Sequence, residues 1–127
     1  MTGKRGKIQS KWESDFNSFL VGVNSIVKNY FISIDNEEDS FKIIPIYGER
    51  YIRLEAVKEN DIWTWGFIDL KNGDCLKAAS YMSPSEKTPR GNIRDRQNGL
   101  GQVTWSGFAS ITCGEGWPKG LRERNNQ

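Results

Sequence analysis

Hydrophobic residues recur at helical spacing near the start of the chain. Ser10 and Glu13 stand three residues apart and match a capping box, which marks a helix start. Behind them, apolar side chains follow at steps of three and four residues, as Trp12, Phe16, Phe19, Leu20, Val23, Val27, Tyr30 and Phe31. This stripe predicts an amphipathic helix over residues 11–31. Because Gly22 and several β-branched residues lower its intrinsic propensity, the helix needs tertiary packing to form.

The spacing then changes to the alternation of a β-strand. From residue 49, one face of the chain is apolar and the other polar or aromatic. Ile52, Leu54 and Ala56 form the apolar face. Residues 41–46 precede this strand and contain Pro45, which lacks a backbone N–H, so we expect an edge strand or an extended approach there.

Two turns divide the rest of the predicted sheet. "KEND" separates the second strand from "IWTWGFIDL", in which Trp63, Trp65 and Phe67 alternate and are expected on one face. Asn72 and Gly73 then predict a tight hairpin of type I′, which requires positive φ at both central positions. "CLKAAS" is expected to return as the partner strand. Residues 49–80 are therefore predicted to form an antiparallel meander.

One apolar helix stripe and one sheet face are expected to cover each other. The predicted fold is α+β, an N-terminal amphipathic helix packed on a small antiparallel β-meander of three to five strands. A closed small barrel is the alternative. Residues 101–113 are expected as a last strand or extended segment. The predicted domain spans 10–113, between a flexible basic arm at 1–9 and a flexible basic tail at 114–127.

The composition of the chain limits the kinds of metal site and catalytic group that it can form. The chain has 127 residues, enough for one domain, with 36% hydrophobic and 12% aromatic residues, which indicates a modest aromatic-weighted core. It has two cysteines, Cys75 and Cys113, and no histidine, so a conventional zinc site and Cys–His or Ser–His catalysis are not expected. No secretory leader or membrane-spanning apolar run is visible, which favours a cytosolic setting with reduced thiols.

Carboxylate pairs are the remaining candidates for catalysis. Glu37, Glu38 and Asp39 adjoin one another, and Asp69 and Asp74 flank the predicted hairpin turn. A small two-layer domain rarely provides the shaped cleft that carboxylate chemistry requires, so we interpret these groups as solvated charges. No phosphate-binding glycine motif is present at the right spacing. We expect no enzyme activity, no cofactor and no bound metal.

The segment 77–102 is the strongest candidate for a binding surface. It is a long basic loop, punctuated by glycine and proline, with few residues that it would be expected to bury. Guanidinium groups suit phosphate or carboxylate oxygens, and aromatic rings suit unpaired bases. The predicted contacts to nucleic acid or another partner are Lys77, Tyr81, Lys87, Arg90, Asn92, Arg94 and Arg96.

Two alternatives remain open for these side chains. The loop could be held to its own domain, with Arg94 or Arg96 paired to Asp95 or Glu86. The tryptophans of the third strand, Trp63 and Trp65, could be core residues against the helix or exposed stacking surfaces.

Residues 48–93 contain three distinctive segments, "GERYIRL", "FIDLKNGDCLKAAS" and "PSEKTPRGNI". In these segments the chain resembles a family of short proteins encoded by tailed bacteriophages and large DNA viruses. The chain departs from the family pattern at Tyr81, where the family has Trp, and at "SPSEK". The family has no established activity. The resemblance therefore implies a viral setting and a shared β-meander that includes the loop after Ser80.

These observations predict a small virus- or phage-encoded accessory protein that binds nucleic acid through the basic loop and is not an enzyme. The alternatives are a virion structural protein whose arms and loop tie subunits together, or an inhibitor of a host protein. For the inhibitor, the acidic block 35–39 is an equally suitable contact. The expected location is the cytoplasm of the infected host cell or the virion, and no membrane contact is expected.

Overall fold

One long helix and a four-stranded antiparallel sheet form two packed layers. The computed structural model of the chain describes residues 11–85 and 88–109. The elements are helix α1 Lys11–Ser33, a 3-10 turn Glu37–Asp39, and strands β1 Lys42–Tyr47, β2 Tyr51–Lys58, β3 Asp61–Asp69, β4 Cys75–Leu76, β5 Val103–Thr104 and β6 Gly107–Phe108. The sheet order is β1-β2-β3-β4, and β5 and β6 form a small second sheet. The predicted α+β class is confirmed. The predicted cap at Ser10, the arm 1–9 and the tail 114–127 lie outside the described residues.

The helix stripe is buried against the inner face of the sheet, as its spacing predicts. Phe19, Val23 and Val27 are fully buried, and the second strand meets them with its own apolar face, formed by Ile52, Leu54 and Ala56. Leu20 is only half-buried and packs at the margin of this core. Burial of apolar surface between the two layers therefore stabilises a helix that has modest propensity of its own.

Strand β3 contains a β-bulge that the alternation of its residues does not reveal. Its pairing with β2 passes from Leu54–Gly66 directly to Glu55–Thr64, which leaves Trp65 as the extra residue. An extra residue in one strand shifts every following side chain to the opposite face.

The bulge separates three aromatic residues that were expected on one face, so that prediction is wrong. Trp65 is buried in the core, where its ring lies 5.0 Å from the ring of Phe108. Phe67 is buried on the opposite face of the sheet, edge-on to Tyr51. Trp63 remains on the core side at the end of the strand, where it is 40% exposed.

The hairpin between β3 and β4 forms where it was predicted, but its turn is of another kind. The Asp69 N–H donates to the Asp74 carbonyl at 2.9 Å, and the Gly73 N–H donates to the Asp69 carbonyl at 2.7 Å. Residues 70–73 therefore form a four-residue connection. Gly73 has a φ of 84°, whereas Asn72 has no positive φ, so the predicted type I′ turn is wrong. The returning strand β4 is also shorter than predicted, since only Cys75–Leu76 pair with β3.

The basic loop 77–102 packs onto the core instead of extending into solvent, which corrects the expectation that it buries little. Ile93 is fully buried, and Leu100 packs against Gly22 of the helix. A Cβ atom at Gly22 would lie 2.4 Å from Leu100 Cδ1, so a larger residue there would force the Leu100 side chain to move. Gly22, which lowers the intrinsic propensity of the helix, thus leaves room for Leu100 of the loop to pack against the helix.

Strand β1 is an edge strand, as Pro45 predicted, and a helix side chain covers part of its free edge. Asn24 Oδ1 accepts a hydrogen bond from the Ile43 N–H at 2.8 Å, and Asn24 Nδ2 donates to the Ile43 carbonyl at 3.1 Å. The amide of Asn24 therefore occupies the backbone groups that Ile43 turns away from β2. Pro45 itself has no N–H to offer.

Two substitutions on α1 test the packing of the layers. Phe19→Ala should lower the free energy of unfolding by about 3–5 kcal/mol, because it removes a fully buried ring from the core. Val21→Ala, at a position that is 68% exposed, should change it by less than about 0.5 kcal/mol. Urea unfolding followed by circular dichroism measures both. Equal effects would mean that the helix does not dock through the stripe described.

Candidate functional site

The outer face of the sheet, which is the face of β1–β4 turned away from α1, carries an exposed aromatic residue beside an arginine. Tyr81 follows β4 in the loop and is 62% exposed. The Arg53 guanidinium carbon lies 5.4 Å from the centroid of the Tyr81 ring, which is cation–π geometry. Thr64 Oγ1 donates to the Tyr81 carbonyl at 3.0 Å and holds the loop against β3.

Arg53 is itself held in place by a carboxylate. Its Nη2 atom lies 2.9 Å from Glu55 Oε2, two residues along the same strand. Both side chains project from the outer face, since Ile52 and Leu54 on either side of Arg53 are buried in the core. The ring of Tyr81 is therefore supported by an ion pair with a defined geometry.

A second arginine–tyrosine contact lies at the start of β2. The Arg50 guanidinium carbon is 5.0 Å from the Tyr51 ring centroid, and Arg50 Nη2 is 3.1 Å from Asp69 Oδ2. Burial raises the pKa of the Asp69 carboxyl group. Hydrogen bonds from Arg50 and from the Lys71 N–H, together with the charge of Arg50, outweigh burial, so that this pKa lies below its ordinary value. Asp69 is thus a charged structural partner of Arg50.

The structure divides the residues that were predicted to bind a partner. Lys77 and Tyr81 flank the start of the loop beside β4, and the Lys77 carbonyl accepts the Ser85 N–H at 2.7 Å. Arg94 and Arg96 are exposed, but Arg94 Nε lies 3.9 Å from Asp15 Oδ2 on α1, on the other side of the sheet from Tyr81. Lys87 lies outside the described residues. The predicted residues therefore do not form one continuous surface.

Arg90 and Asn92 hold the loop to the rest of the fold. Arg90 is only 7% exposed, and its guanidinium donates to the Ala109 carbonyl at 3.0 Å and to the Thr88 carbonyl. Burial lowers the pKa of the Arg90 guanidinium. Asn92 Nδ2 donates to the Asn72 carbonyl at 2.8 Å and to Asp74 Oδ1 at 2.9 Å. These contacts give both side chains a role within the fold, where the sequence predicted contacts to a partner.

Asp95 organises the loop through backbone groups instead of pairing with a neighbouring arginine. Its carboxylate accepts hydrogen bonds from the N–H groups of Asn92, Gln97 and Gly99 at 2.9–3.1 Å. Arg94 Nε lies 3.9 Å from Asp15 Oδ2, and the described residues show no ion pair of Arg94 or Arg96 with Asp95, so that part of the alternative is wrong, while Glu86 lies outside the described residues. An aspartate followed by Arg-Gln-Asn-Gly is a turn-forming pattern that could have indicated this role.

The other candidate reactive groups are engaged or buried. Asp74 accepts the Asn92 amide, and Cys75 is fully buried with its Sγ atom 3.8 Å from the Gly99 carbonyl. Burial, with smaller contributions from nearby carboxylates, raises the pKa of the Cys75 thiol, so this thiol stays protonated. Within residues 11–85 and 88–109, no group of three or more His, Cys, Asp or Glu side chains is placed to hold a metal ion. Cys113 lies outside these ranges.

Charge is distributed unevenly between the described residues and the rest of the chain. Acidic residues outnumber basic ones among the described residues, although the whole chain carries a net charge of +2. Three basic residues of the first ten, Lys4, Arg5 and Lys7, contribute much of the difference. None of the helices in the described part of the chain is long and apolar enough to cross a bilayer.

These features define a two-layer α+β protein with an exposed tyrosine–arginine pair on the outer face of its sheet. The chain belongs to DUF7717, a family of unknown function whose model matches residues 7–110. Comparison with curated proteins and comparison with solved structures each gave no match. The viral setting that the sequence resemblance implied stays a prediction.

Arg90→Gln tests whether this arginine serves the fold. The substitution removes the donors to two carbonyl groups in a buried position, so the free energy of unfolding should fall by about 1–3 kcal/mol. Arg96→Gln, at an exposed position of the same loop, should change it by less than about 0.5 kcal/mol. Urea unfolding compares the two. A neutral Arg90→Gln would show that its guanidinium contributes nothing to stability.

The lowered pKa of Asp69 predicts how its contribution to stability depends on pH. Because the folded pKa lies below the unfolded value of about 3.9, the contribution is complete above that value and is lost as pH falls through the folded pKa. The difference in unfolding free energy between the wild type and Asp69→Asn should therefore shrink between pH 5 and the folded pKa. Urea unfolding at several pH values measures it. A difference independent of pH would contradict the ionised pair.

Proposed function

We propose that this protein is a non-enzymatic binding protein whose outer sheet face contacts single-stranded nucleic acid. The observation that carries the proposal is Tyr81, 62% exposed and held against the guanidinium group of Arg53. An exposed ring with a fixed orientation provides a stacking surface for an unpaired base. Since every base has a π-face, this contact favours single strands without selecting a sequence.

Neighbouring groups on the same face extend this surface. Arg50 keeps 57% of its side chain exposed while it lies over the Tyr51 ring and pairs with Asp69, which places a partly exposed guanidinium group on this face. Ile44 and Ile46 of β1 are also exposed beside Arg53 and Glu55, to which they are paired in register. The face therefore combines apolar, aromatic and guanidinium groups.

The distribution of charge along the chain indicates which residues would attract the phosphate groups. Residues 11–85 and 88–109 do not carry an excess of basic residues. Stacking on Tyr81 therefore supplies the preference for single strands, and the basic residues of segment 1–9 supply attraction to phosphate. The salt dependence should therefore belong mainly to that segment. Removal of residues 1–9 should flatten the slope of log K against log salt more than Arg96→Gln does.

The matched pair Tyr81→Ala and Tyr47→Ala tests the stacking contact. The two tyrosines are 62% and 61% exposed, but only Tyr81 lies against Arg53. Tyr81→Ala should weaken binding to a fluorescently labelled oligothymidylate or oligouridylate by about 1–3 kcal/mol with little change in salt slope. Tyr47→Ala should leave affinity unchanged. Fluorescence anisotropy at several salt concentrations measures both.

Absence of binding to both oligonucleotides at about 50 mM salt would overturn the proposal, because electrostatic attraction is strong at that salt concentration. Equal losses from both alanine variants would do the same, since the effect would then not arise from Tyr81. The outer face would then be assigned to a protein partner, which its exposed Ile44, Ile46 and Met82 also suit. A virion subunit or an inhibited host protein would be the classes to examine.

A further inference from the structure

A second exposed aromatic surface lies at the end of the molecule where α1 ends. We call it the aromatic end and define it by five rings: Tyr30, Phe31, Phe41, Trp63 and Trp105. Trp105 stacks on Tyr30 with centroids 4.8 Å apart and planes 7° apart, and lies edge-on to Phe31 at 5.5 Å. Trp63 lies edge-on to Phe41 at 4.9 Å. The rings form one connected cluster because Phe31 and Phe41 also contact each other.

The two tryptophans of the aromatic end are fixed in place but only partly covered. Trp63 is 40% exposed and Trp105 is 38% exposed. The Trp105 carbonyl accepts a hydrogen bond from Trp65 Nε1 at 3.3 Å, which anchors its backbone to the core. Rigid, partly exposed tryptophans bury large area at low conformational cost and are enriched among the residues that dominate binding energy at interfaces.

Carboxylates lie close along the chain to two rings of the aromatic end, Phe41 and Trp63. Asp61 precedes Trp63 by two residues and projects from the same face of β3. Lys58 is paired in register with Asp61, its ammonium group lies 3.0 Å from Asp39 Oδ1, and Glu59 follows it in the turn to β3. The hydrogen bond and charge of Asp39, with smaller contributions from Glu59 and Asp61, raise the pKa of Lys58. These three carboxylates outnumber the ammonium group of Lys58 beside Phe41 and Trp63.

We propose that the aromatic end binds a basic peptide segment of a partner protein, with a Lys or Arg side chain over Trp63 and the carboxylates pairing with neighbouring cations. Tryptophan is the best aromatic partner for a cation, and nearby carboxylates complement the charge of the peptide. The same carboxylates repel phosphate, so this surface is distinct from the outer face proposed for nucleic acid. The inference does not depend on that proposal.

A charge-matched pair of peptides tests this surface on the full chain. The probes are a fluorescein-labelled peptide of alternating lysine and alanine, and its counterpart with glutamate in place of lysine. The wild type should bind the lysine peptide and not the glutamate peptide, with affinity that falls as salt is raised. Fluorescence anisotropy measures binding, and urea unfolding checks that each variant keeps its fold.

Two variants of the aromatic end and two controls locate the contact. Trp63→Leu keeps an apolar side chain but removes the ring, and should weaken binding of the lysine peptide about 3- to 30-fold. Asp61→Asn should weaken binding and flatten its salt dependence. Glu49→Gln, at an exposed carboxylate in the β1–β2 connection, should change nothing, and Tyr81→Ala should leave the peptide affinity intact.

Four results would overturn the inference. The first is equal binding of the lysine and glutamate peptides. The second is an unchanged affinity in a folded Trp63→Leu variant. The third is concentration-dependent self-association of the wild type that Trp63→Leu abolishes in sedimentation, because the occupant would then be a second copy of the chain. Loss of peptide binding in Tyr81→Ala alone would assign the peptide to the outer face and would also overturn it.

Discussion

The close approach of the loop backbone to the core at Gly99 is the constraint on which most of the structure depends. Gly99 has a φ of 79°, and a Cβ atom there would lie 2.8 Å from Cys75 Sγ and 3.2 Å from Phe19 Cδ1. Only glycine fits both the backbone conformation and the space. With Gly99 in place, Ile93 is buried on one side and Leu100 crosses Gly22 on the other. A long segment without regular secondary structure thus becomes part of the core.

This packing explains why the candidate surfaces lie apart from the part of the loop with the most arginines. The loop uses Arg90, Asn92 and Asp95 for its own hydrogen bonds, so these polar groups stabilise its shape. The rings of the two candidate surfaces instead lie where the two layers leave surface uncovered. One is the outer face beside Tyr81, and the other is the end of the core beside Trp63. Their different charge surroundings suit chemically different partners.

Local periodicity was sufficient to predict the helix and the second strand, because each buries one face against the same core. It was not sufficient for β3, where one extra residue at Trp65 moves Phe67 to the other face without any change in composition. It also gave no indication that Trp105 would stack on Tyr30, since such contacts depend on the tertiary fold.

For the candidate site, residue type identified Tyr81 as a ring available for stacking. The same reasoning could not show that Arg90 is buried, because arginine serves equally well as a surface group and as a donor to buried carbonyls.

The hydrogen bonds of Asn24 to Ile43 have a consequence for how this sheet can grow. An unprotected edge strand is a template for pairing with another chain, and repeated pairing leads to fibres. At the β1 edge of the sheet, Asn24 binds the outward backbone groups of Ile43, and Pro45 lacks the next N–H donor. At the β4 edge, the backbone of residues 90–91 already pairs with Cys75. The sheet is therefore closed to further strands at these positions, and partners must be recognised by side chains on its faces and ends.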